Sequence, residues 1–246
     1  AIERAAREVE SLRAPRLGLT GAGAPALARL LGFDTAPIDE FSAWGAGAAV
    51  LLAEQGAEPI GRDLLVSLGT GTSVLLIEPD RVRRVGGSAL GGGTLVGLGA
   101  ALTGCSDFEE LLALAGRGDR RKVDLRVSEL DPSGALPLDP ELTAASFAKL
   151  ARGPEGSAVA PQDLAQALVG MLGEHLAILC GALGALVQAQ RMVYAGGLLR
   201  RRSLLHAILE QGARALGRPV IFLDAGEFTG AVGALELAAQ RAPLAT

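Results

Sequence analysis

Two glycine-rich loops, one carboxylate and one arginine are the groups in this sequence whose types and spacing could do chemistry. The loops bracket a hairpin in residues 66–99, VSLGTGTSVLLIEPDRVRRVGGSALGGGTLVGLG. The first, Gly69-Thr70-Gly71-Thr72-Ser73, lies between two apolar runs, which predicts strand, tight turn, strand. The second spans Gly86 to Thr94 and runs into a helical pattern over 95–102. Three consecutive glycines at a helix start predict backbone N–H groups free to face an anion, with the helix dipole adding positive potential. The hydroxyls of Thr70, Thr72, Ser73 and Thr94 could add donors, and the chemistry would be the holding of a phosphate. The competing reading is two plain turns in a chain that carries 34 glycines. Glu40 falls where an extended segment meets a helix, a place that suits a proton acceptor in a cleft. It could equally be an exposed glutamate that complements a helix dipole. Arg84 sits beside the second loop and could reach an anionic or hydroxylated ligand, or it is an edge-strand arginine.

The elements that must position these groups follow from periodicity. Residues 1–14 predict an amphipathic helix, a turn at Pro15, a strand over 16–20 and a helix ending at Leu31. Gly21-Ala22-Gly23-Ala24-Pro25-Ala26 between that strand and helix nearly matches a dinucleotide fingerprint, with Asp39-Glu40 about 20 residues on. Residues 35–41 should be extended, Ser42 should cap a helix over 43–55, and Trp44 should be core or cleft wall. Residues 56–62 read as a loop at a lobe boundary. Along 81–85, alternation puts Val82 and Arg84 on one face and Arg83 and Val85 on the other. Ser106 with Glu109 forms a capping-box pattern before a helix ending at Ala115. Residues 116–140 are a polar insert, in which Arg117-Gly118-Asp119 is incidental; 144–151 reads as a short helix and 153–160 as a loop. Residues 161–190 form a long helix, apolar nearly all round, which is central or at a subunit interface. A strand over 191–195 ends in Gly196-Gly197, a helix covers 202–215, a strand 219–223, and the last helix begins near Thr229. Strands ending at Gly69, Gly196 and Asp224 would open on one sheet edge, where α/β folds bind ligands.

Composition narrows the classes. The core must be aliphatic, because apolar residues make up 49% and aromatics only 3%. A formal charge of −4 argues against a nucleic-acid partner. Cys105 and Cys180 lack metal-ligand spacing and read as reduced core residues of a cytoplasmic protein; nothing reads as a signal peptide or a membrane anchor. His175 and His206 are lone histidines with structural roles. No GxxxxGK[ST] motif is present, so a P-loop is excluded.

Taken together, the segment 63–104 with GTGTS, RRVGG and LGGGTLVGLG resembles type II pantothenate kinases. So do Leu19-Thr20-Gly21-Ala22-Gly23-Ala24 with Asp39-Glu40-Phe41, Val193-Tyr194-Ala195-Gly196-Gly197, and Phe228-Thr229-Gly230-Ala231-Val232-Gly233-Ala234-Leu235, in order along nearly the whole chain. The resemblance implies an α/β, actin-like (ribonuclease H-like) two-lobed kinase fold with mixed sheets and an interlobe cleft. Residues 1–61 would be the remainder of the N-terminal lobe. Residues 62–246 would be the C-terminal lobe, with the glycine loops, the long dimer helix and a last helix packing back. It implies ATP-dependent phosphorylation of pantothenate, the first step toward coenzyme A, with Mg²⁺. Carried over by position, Glu40 matches the general base; Thr70, Gly92, Gly93, Thr94, Leu95 and Gly197 match nucleotide contacts. Arg84 and Ser73 match positions that hold pantothenate or the pantetheine arm of an acyl-CoA. Members are homodimers built on the long helix. They open with a hairpin bearing a GxDxGGTxxK-like phosphate motif whose aspartate works with Mg²⁺; no such motif occurs in this sequence, so no metal ligand is named. Two other functions compete. A non-catalytic acyl-CoA or nucleotide sensor would need no base. An NAD-binding oxidoreductase would need an unbroken parallel sheet, which the hairpin at 66–85 opposes.

Overall fold

The structure is a computed structural model and describes residues 2–12, 17–32, 37–57, 60–152, 159–200 and 202–240. In chain order it comprises α1 (Ile2–Leu12), α2 (Ala24–Leu30), α3 (Glu40–Glu54), β1 (Asp63–Leu68), β2 (Thr72–Glu78) and β3 (Arg81–Ser88). There follow α4 (Gly92–Thr103), α5 (Phe108–Ala115), β4 (Leu125–Arg126), α6 (Val127–Leu130), β5 (Thr143–Ala145) and α7 (Pro161–Leu186). The chain closes with β6 (Arg191–Ala195), α8 (Leu204–Ala215), β7 (Val220–Phe222) and α9 (Thr229–Gln240). The turn expected at Pro15 and most of the loop expected at 153–160 lie outside the described residues.

One mixed sheet of order β3-β2-β1-β6-β7 organises the molecule. The β1–β2–β3 meander is antiparallel, whereas β1, β6 and β7 run parallel. A mixed sheet removes the dinucleotide-dehydrogenase reading, which requires all strands parallel. Alternation along β1 sends Leu64, Val66 and Leu68 to one face and Leu65 to the other. The first face is covered by α7 and α8, with α4 and α5 beside them. The second is covered by α3 and α9, which cross backbone to backbone: Gly47 abuts the Thr229 carbonyl and Gly233 the Ala43 carbonyl, so neither place has room for a Cβ. Upstream, Thr20 and Ile38 make a parallel bridge between the segment at 17–20 and the entry to α3.

Several expected boundaries shift for local reasons. Asp39, not Ser42, caps α3: its Oδ1 accepts the Ser42 amide at 2.8 Å, and Ser42 becomes the third helical residue. Likewise Asp107 rather than Ser106 caps α5, accepting the Glu110 amide at 2.9 Å. The helix expected over 144–151 is instead β5 paired with β4, followed by a short 3-10 turn. Tertiary pairing overrides the alanine-rich local preference there: Phe147 takes φ 59° while its amide donates to the buried Asp124 at 2.9 Å. The long helix ends at Leu186, not at 190, because Gln188 turns to φ 53°. By length and composition α7 could cross a membrane, but most of its apolar surface is buried as the core helix.

The polar insert is fastened to α7 by charge. Arg120 lies over Gly170 and donates to Asp124 at 2.6 Å and to Glu174 at 2.7 Å. Lys122 reaches the buried Asp163 at 3.1 Å. A buried carboxylate needs such a partner, because an uncompensated charge away from water is costly. His206 stacks near Phe222, ring centroids 4.7 Å apart, and burial followed by Arg202 lowers its pKa. Cys105 and Cys180 are unpaired, and burial pushes the Cys180 thiol up to about 12.

Candidate active site

At the carboxyl ends of β1 and β6 the two glycine loops meet and are joined by hydrogen bonds. Gly92 donates to the Gly69 carbonyl and Gly93 to the Thr70 carbonyl, each at 2.9 Å. The Thr72 hydroxyl donates to the Leu90 carbonyl at 2.7 Å, and the Thr94 hydroxyl to Ala89 at 3.2 Å. This closeness depends on Gly91, where a Cβ would stand 2.6 Å from the Thr70 carbonyl oxygen and 2.7 Å from the Gly71 Cα. The expectation of several free amides in the GGG run is therefore corrected. The amides of Gly92 and Gly93 are spent on the first loop, and that of Leu95 on the Gly91 carbonyl. Within the first turn of α4, the Thr94 amide has no carbonyl acceptor among the described residues. It remains as the helix-start donor that can face an anion. The Thr70 hydroxyl also makes no hydrogen bond among the described residues.

Leu95 turns inward and is fully buried beneath the rim, so its side chain belongs to the core. Gly196, at φ 112°, lets β6 end against the backbone of Leu68, and its amide donates to Gly226 at 3.1 Å. Gly197 opens a short 3-10 turn, with open space where its Cβ would be, and Leu198 of that turn packs beneath Gly92. Arg200 and Glu227 pair at 3.4 Å between this turn and the one before α9. Thr70, Gly92, Gly93, Thr94 and Gly197 thus share one sheet edge.

Arg84 and Ser73 come together on the sheet face that α3 covers. A bulge at Val85 sets the register: Leu75 opposes Arg84, yet Val74 opposes Gly86. Val82 and Arg84 then share the face of Leu75, as alternation predicts, and Val82 receives Gly45 of α3. Val85 packs against the opposite core, as alternation predicts, and the bulge brings Gly86, paired with Val74, onto that same side, where it abuts Leu183. Beyond it, Gly87 pairs with Ser73, and the Arg84 guanidinium lies across Gly87 where a side chain would otherwise stand. Arg84 is exposed and makes no hydrogen bond or ion pair among the described residues.

Glu40 is the first residue of α3, exposed, and its carboxylate also lacks a partner among the described residues. Its neighbour Asp39 is committed: the Ser42 amide, then the Ser42 hydroxyl, hold the Asp39 carboxyl below its ordinary range. Trp44, one turn on, seats against Gly230 of α9 and packs with the second-face core. Sequence reasoning missed Asp39 as the cap, although Asp-x-x-Ser carried the same signal as the chosen Ser42. Among the described residues no three His, Cys, Asp or Glu side chains gather in a way that could hold a metal ion.

A family model described as Fumble matches residues 48–236. A type II pantothenate kinase from Oceanobacillus iheyensis is 33% identical over 206 residues, covering 84% of this chain and 76% of that relative. The chain belongs to the type II pantothenate kinase family. Another type II pantothenate kinase, from Staphylococcus haemolyticus, is 32% identical over 221 residues, 90% of this chain and 82% of the relative. Among solved structures, a ROK hexokinase from Thermus thermophilus aligns with TM-score 0.53 at 16% identity, covering 87% of this chain and 68% of that one. The ethanolamine utilization protein EutJ from Carboxydothermus hydrogenoformans aligns at 0.52 and 16%, covering 95% and 72%. At these identities the two structures speak to fold alone. The fold is the actin-like, sugar-kinase type expected of the pantothenate kinase family, with a mixed α/β sheet.

Proposed function

We propose that this protein transfers the γ-phosphoryl group of ATP to the primary hydroxyl of pantothenate, giving 4′-phosphopantothenate, the first step of coenzyme A biosynthesis. The observation that carries this is a division of labour inside a type II pantothenate kinase chain. A hydrogen-bonded rim leaves the Thr94 amide and Thr70 hydroxyl available, while Arg84 on the sheet face under α3 and Glu40 at the start of α3 are unpartnered among the described residues. Phosphoryl transfer asks mainly for positioning and for neutralisation of charge. In this reading Thr70, Gly92, Gly93, Thr94 and Gly197 frame the nucleotide, with Leu95 as the core residue that seats α4 beneath it. Arg84 offers its planar fork to the pantothenate carboxylate, and Ser73 adds a hydroxyl on the same face. The carboxylate of Glu40 accepts the proton of the attacking hydroxyl, whose oxygen takes the phosphoryl group as ADP leaves. The described side chains do not form a dedicated metal cage, so Mg²⁺ belongs to this reading as a companion of the ATP phosphates, and no residue is assigned to it.

A sensor that binds CoA or acyl-CoA without turnover would have no use for Glu40; an exposed carboxylate at a helix start, unpartnered among the described residues, favours the enzyme. CoA or acyl-CoA remains within the proposal as a second ligand of the Arg84 side. A homodimer through α7 is part of the same reading, supported by Ile178 and Leu186, which are 71% and 78% exposed. A monomer by light scattering at micromolar concentration would remove it. Cytoplasmic location is supported by the two unpaired cysteines. The deciding experiment is a coupled assay of ADP release with pantothenate and ATP. Turnover that requires both is the expected result; tight binding of both with no product would replace the kinase by the sensor.

A further inference from the structure

Attachments on both sides of Glu40 fix where α3 begins. Upstream, the Ile38 amide donates to Leu19 at 2.7 Å and its carbonyl accepts the Thr20 hydroxyl at 3.0 Å, which ties the entering chain to the segment at 17–20. Ile38 then packs in one buried cluster with Ala43, on the far side of the first turn. Apolar residues flanking a cap in this way form a hydrophobic staple, which sets the angle at which the chain enters. Between them stands Asp39, in non-helical backbone at φ −53° and ψ 130°. Its Oδ1 accepts both the Ser42 amide and the Ser42 hydroxyl at 2.8 Å. Downstream, Phe41 and Trp44 pack against the sheet face. Every one of these contacts spends a neighbour of Glu40, and the Glu40 carboxylate itself stays unpartnered among the described residues.

We infer that Asp39 is a positioning residue: by capping α3 it holds the first turn so that the Glu40 carboxylate meets the acceptor hydroxyl. The inference rests on the proposed role of Glu40 as proton acceptor. A first helical residue depends most on its cap, because the opening amides have no partners within the helix. Loss of the cap frees the Ser42 amide and lets Glu40 leave helical geometry. A misplacement of about 1 Å can cost on the order of 10²-fold in rate. The nucleotide rim, built from other segments, is untouched by this change.

The test is a double-mutant cycle in the full chain, read as kcat and KM for both substrates. Asp39→Ala should lower kcat by about 10- to 100-fold with both KM values within about twofold. Asp39→Asn, which keeps an acceptor for the Ser42 amide, should recover to within about threefold of the parent. In a Glu40→Gln background, Asp39→Ala should add no further loss, because there is no base left to position. Ser42→Ala removes one of the two cap bonds and serves as the milder arm; it should show the same non-additivity should Asp39→Ala not fold. A loss from Asp39→Ala that persists undiminished in the Glu40→Gln background overturns the positioning role, as does an Asp39→Asn variant no better than Asp39→Ala. An unaltered rate in Glu40→Gln alone overturns the base assignment, and this inference with it.

Discussion

On the rim, Gly92 and Gly93 donate to Gly69 and Thr70, and the Thr72 hydroxyl donates to Leu90; Arg84, on the sheet face under α3, and Glu40, at the start of α3, bond to nothing among the described residues. The rim gains rigidity by spending its own donors, so that backbone shape does most of the holding. The other side keeps its charged groups free, at the expense of interactions that would have stabilised the fold. A nucleotide site can be built in the first way, since phosphates need a fixed cradle with a few donors. A site for proton transfer and carboxylate recognition needs the second, because a base already hydrogen-bonded to protein has nothing left to accept with.

The contrast makes its largest prediction at Glu40. Glu40→Gln keeps the shape and removes the proposed proton acceptor, so kcat should fall by about 10²–10⁴ while affinities for ATP and pantothenate hold. Single-turnover kinetics read this directly, and a rate within a few-fold of the parent would move proton transfer elsewhere. Arg84→Ala comes next. A charged hydrogen bond is worth about 1.5–3 kcal/mol, so pantothenate affinity should drop by roughly 10- to 150-fold with ATP affinity little changed. Calorimetry showing equal losses for both ligands would make Arg84 part of the rim rather than its counterpart.

How far the two sides were legible in the sequence follows from the same contrast. The GTGTS and GGGT runs announced turns and a helix start, and alternation put Arg84 on the face of Val82, where it stands. The fate of the Gly92 and Gly93 amides was hidden, because their acceptors are carbonyls more than twenty residues away and only the folded sheet brings them near. Two caps were misassigned for one reason. Asp39 and Ser42, like Asp107 and Ser106, are all competent caps, and the choice rests on which residue holds non-helical backbone against its surroundings. The stretch at 143–152 failed differently. Ala144, Ala145 and Ala148 favour helix, but pairing with Leu125 and Arg126 and the Asp124 bond to Phe147 decide the outcome. The actin-like architecture was legible through the motifs that resemble the pantothenate kinase family; the local signals, a hairpin between apolar runs, a long helix and strands running into glycine, gave the elements but not their assembly.

Gly91 tests whether the rim works through shape. Gly91→Ala would set a Cβ 2.6 Å from the Thr70 carbonyl, with only backbone to give way. Forcing the two loops apart should cost about 1–3 kcal/mol of stability and weaken ATP binding, leaving pantothenate affinity comparatively intact. Thermal unfolding and ATP calorimetry on the same preparation would show it; an unshifted Tm would mean that the loops are not joined as described.

The smallest effects separate two threonines two residues apart in the first loop. The Thr72 hydroxyl is committed to the Leu90 carbonyl, and Thr72 is 4% exposed. The Thr70 hydroxyl has no partner among the described residues and stands at the open edge. Valine at either place keeps the branched shape and removes only the donor. Thr72→Val leaves a carbonyl unpaired inside the rim, so it should lower stability by about 1 kcal/mol or somewhat more, with ATP affinity nearly unchanged. Thr70→Val breaks no bond in the free protein, so its stability should stay within about 0.5 kcal/mol of the parent. In the proposed site it does remove a donor offered to the nucleotide, and ATP affinity should fall by about fivefold, the value of one neutral hydrogen bond near 1 kcal/mol. Chemical denaturation and ATP titration on both variants would decide the matter. Losses of the same kind in both would merge the two hydroxyls into one structural role, and a reversed pattern would place the free donor at Thr72, deeper in the loop.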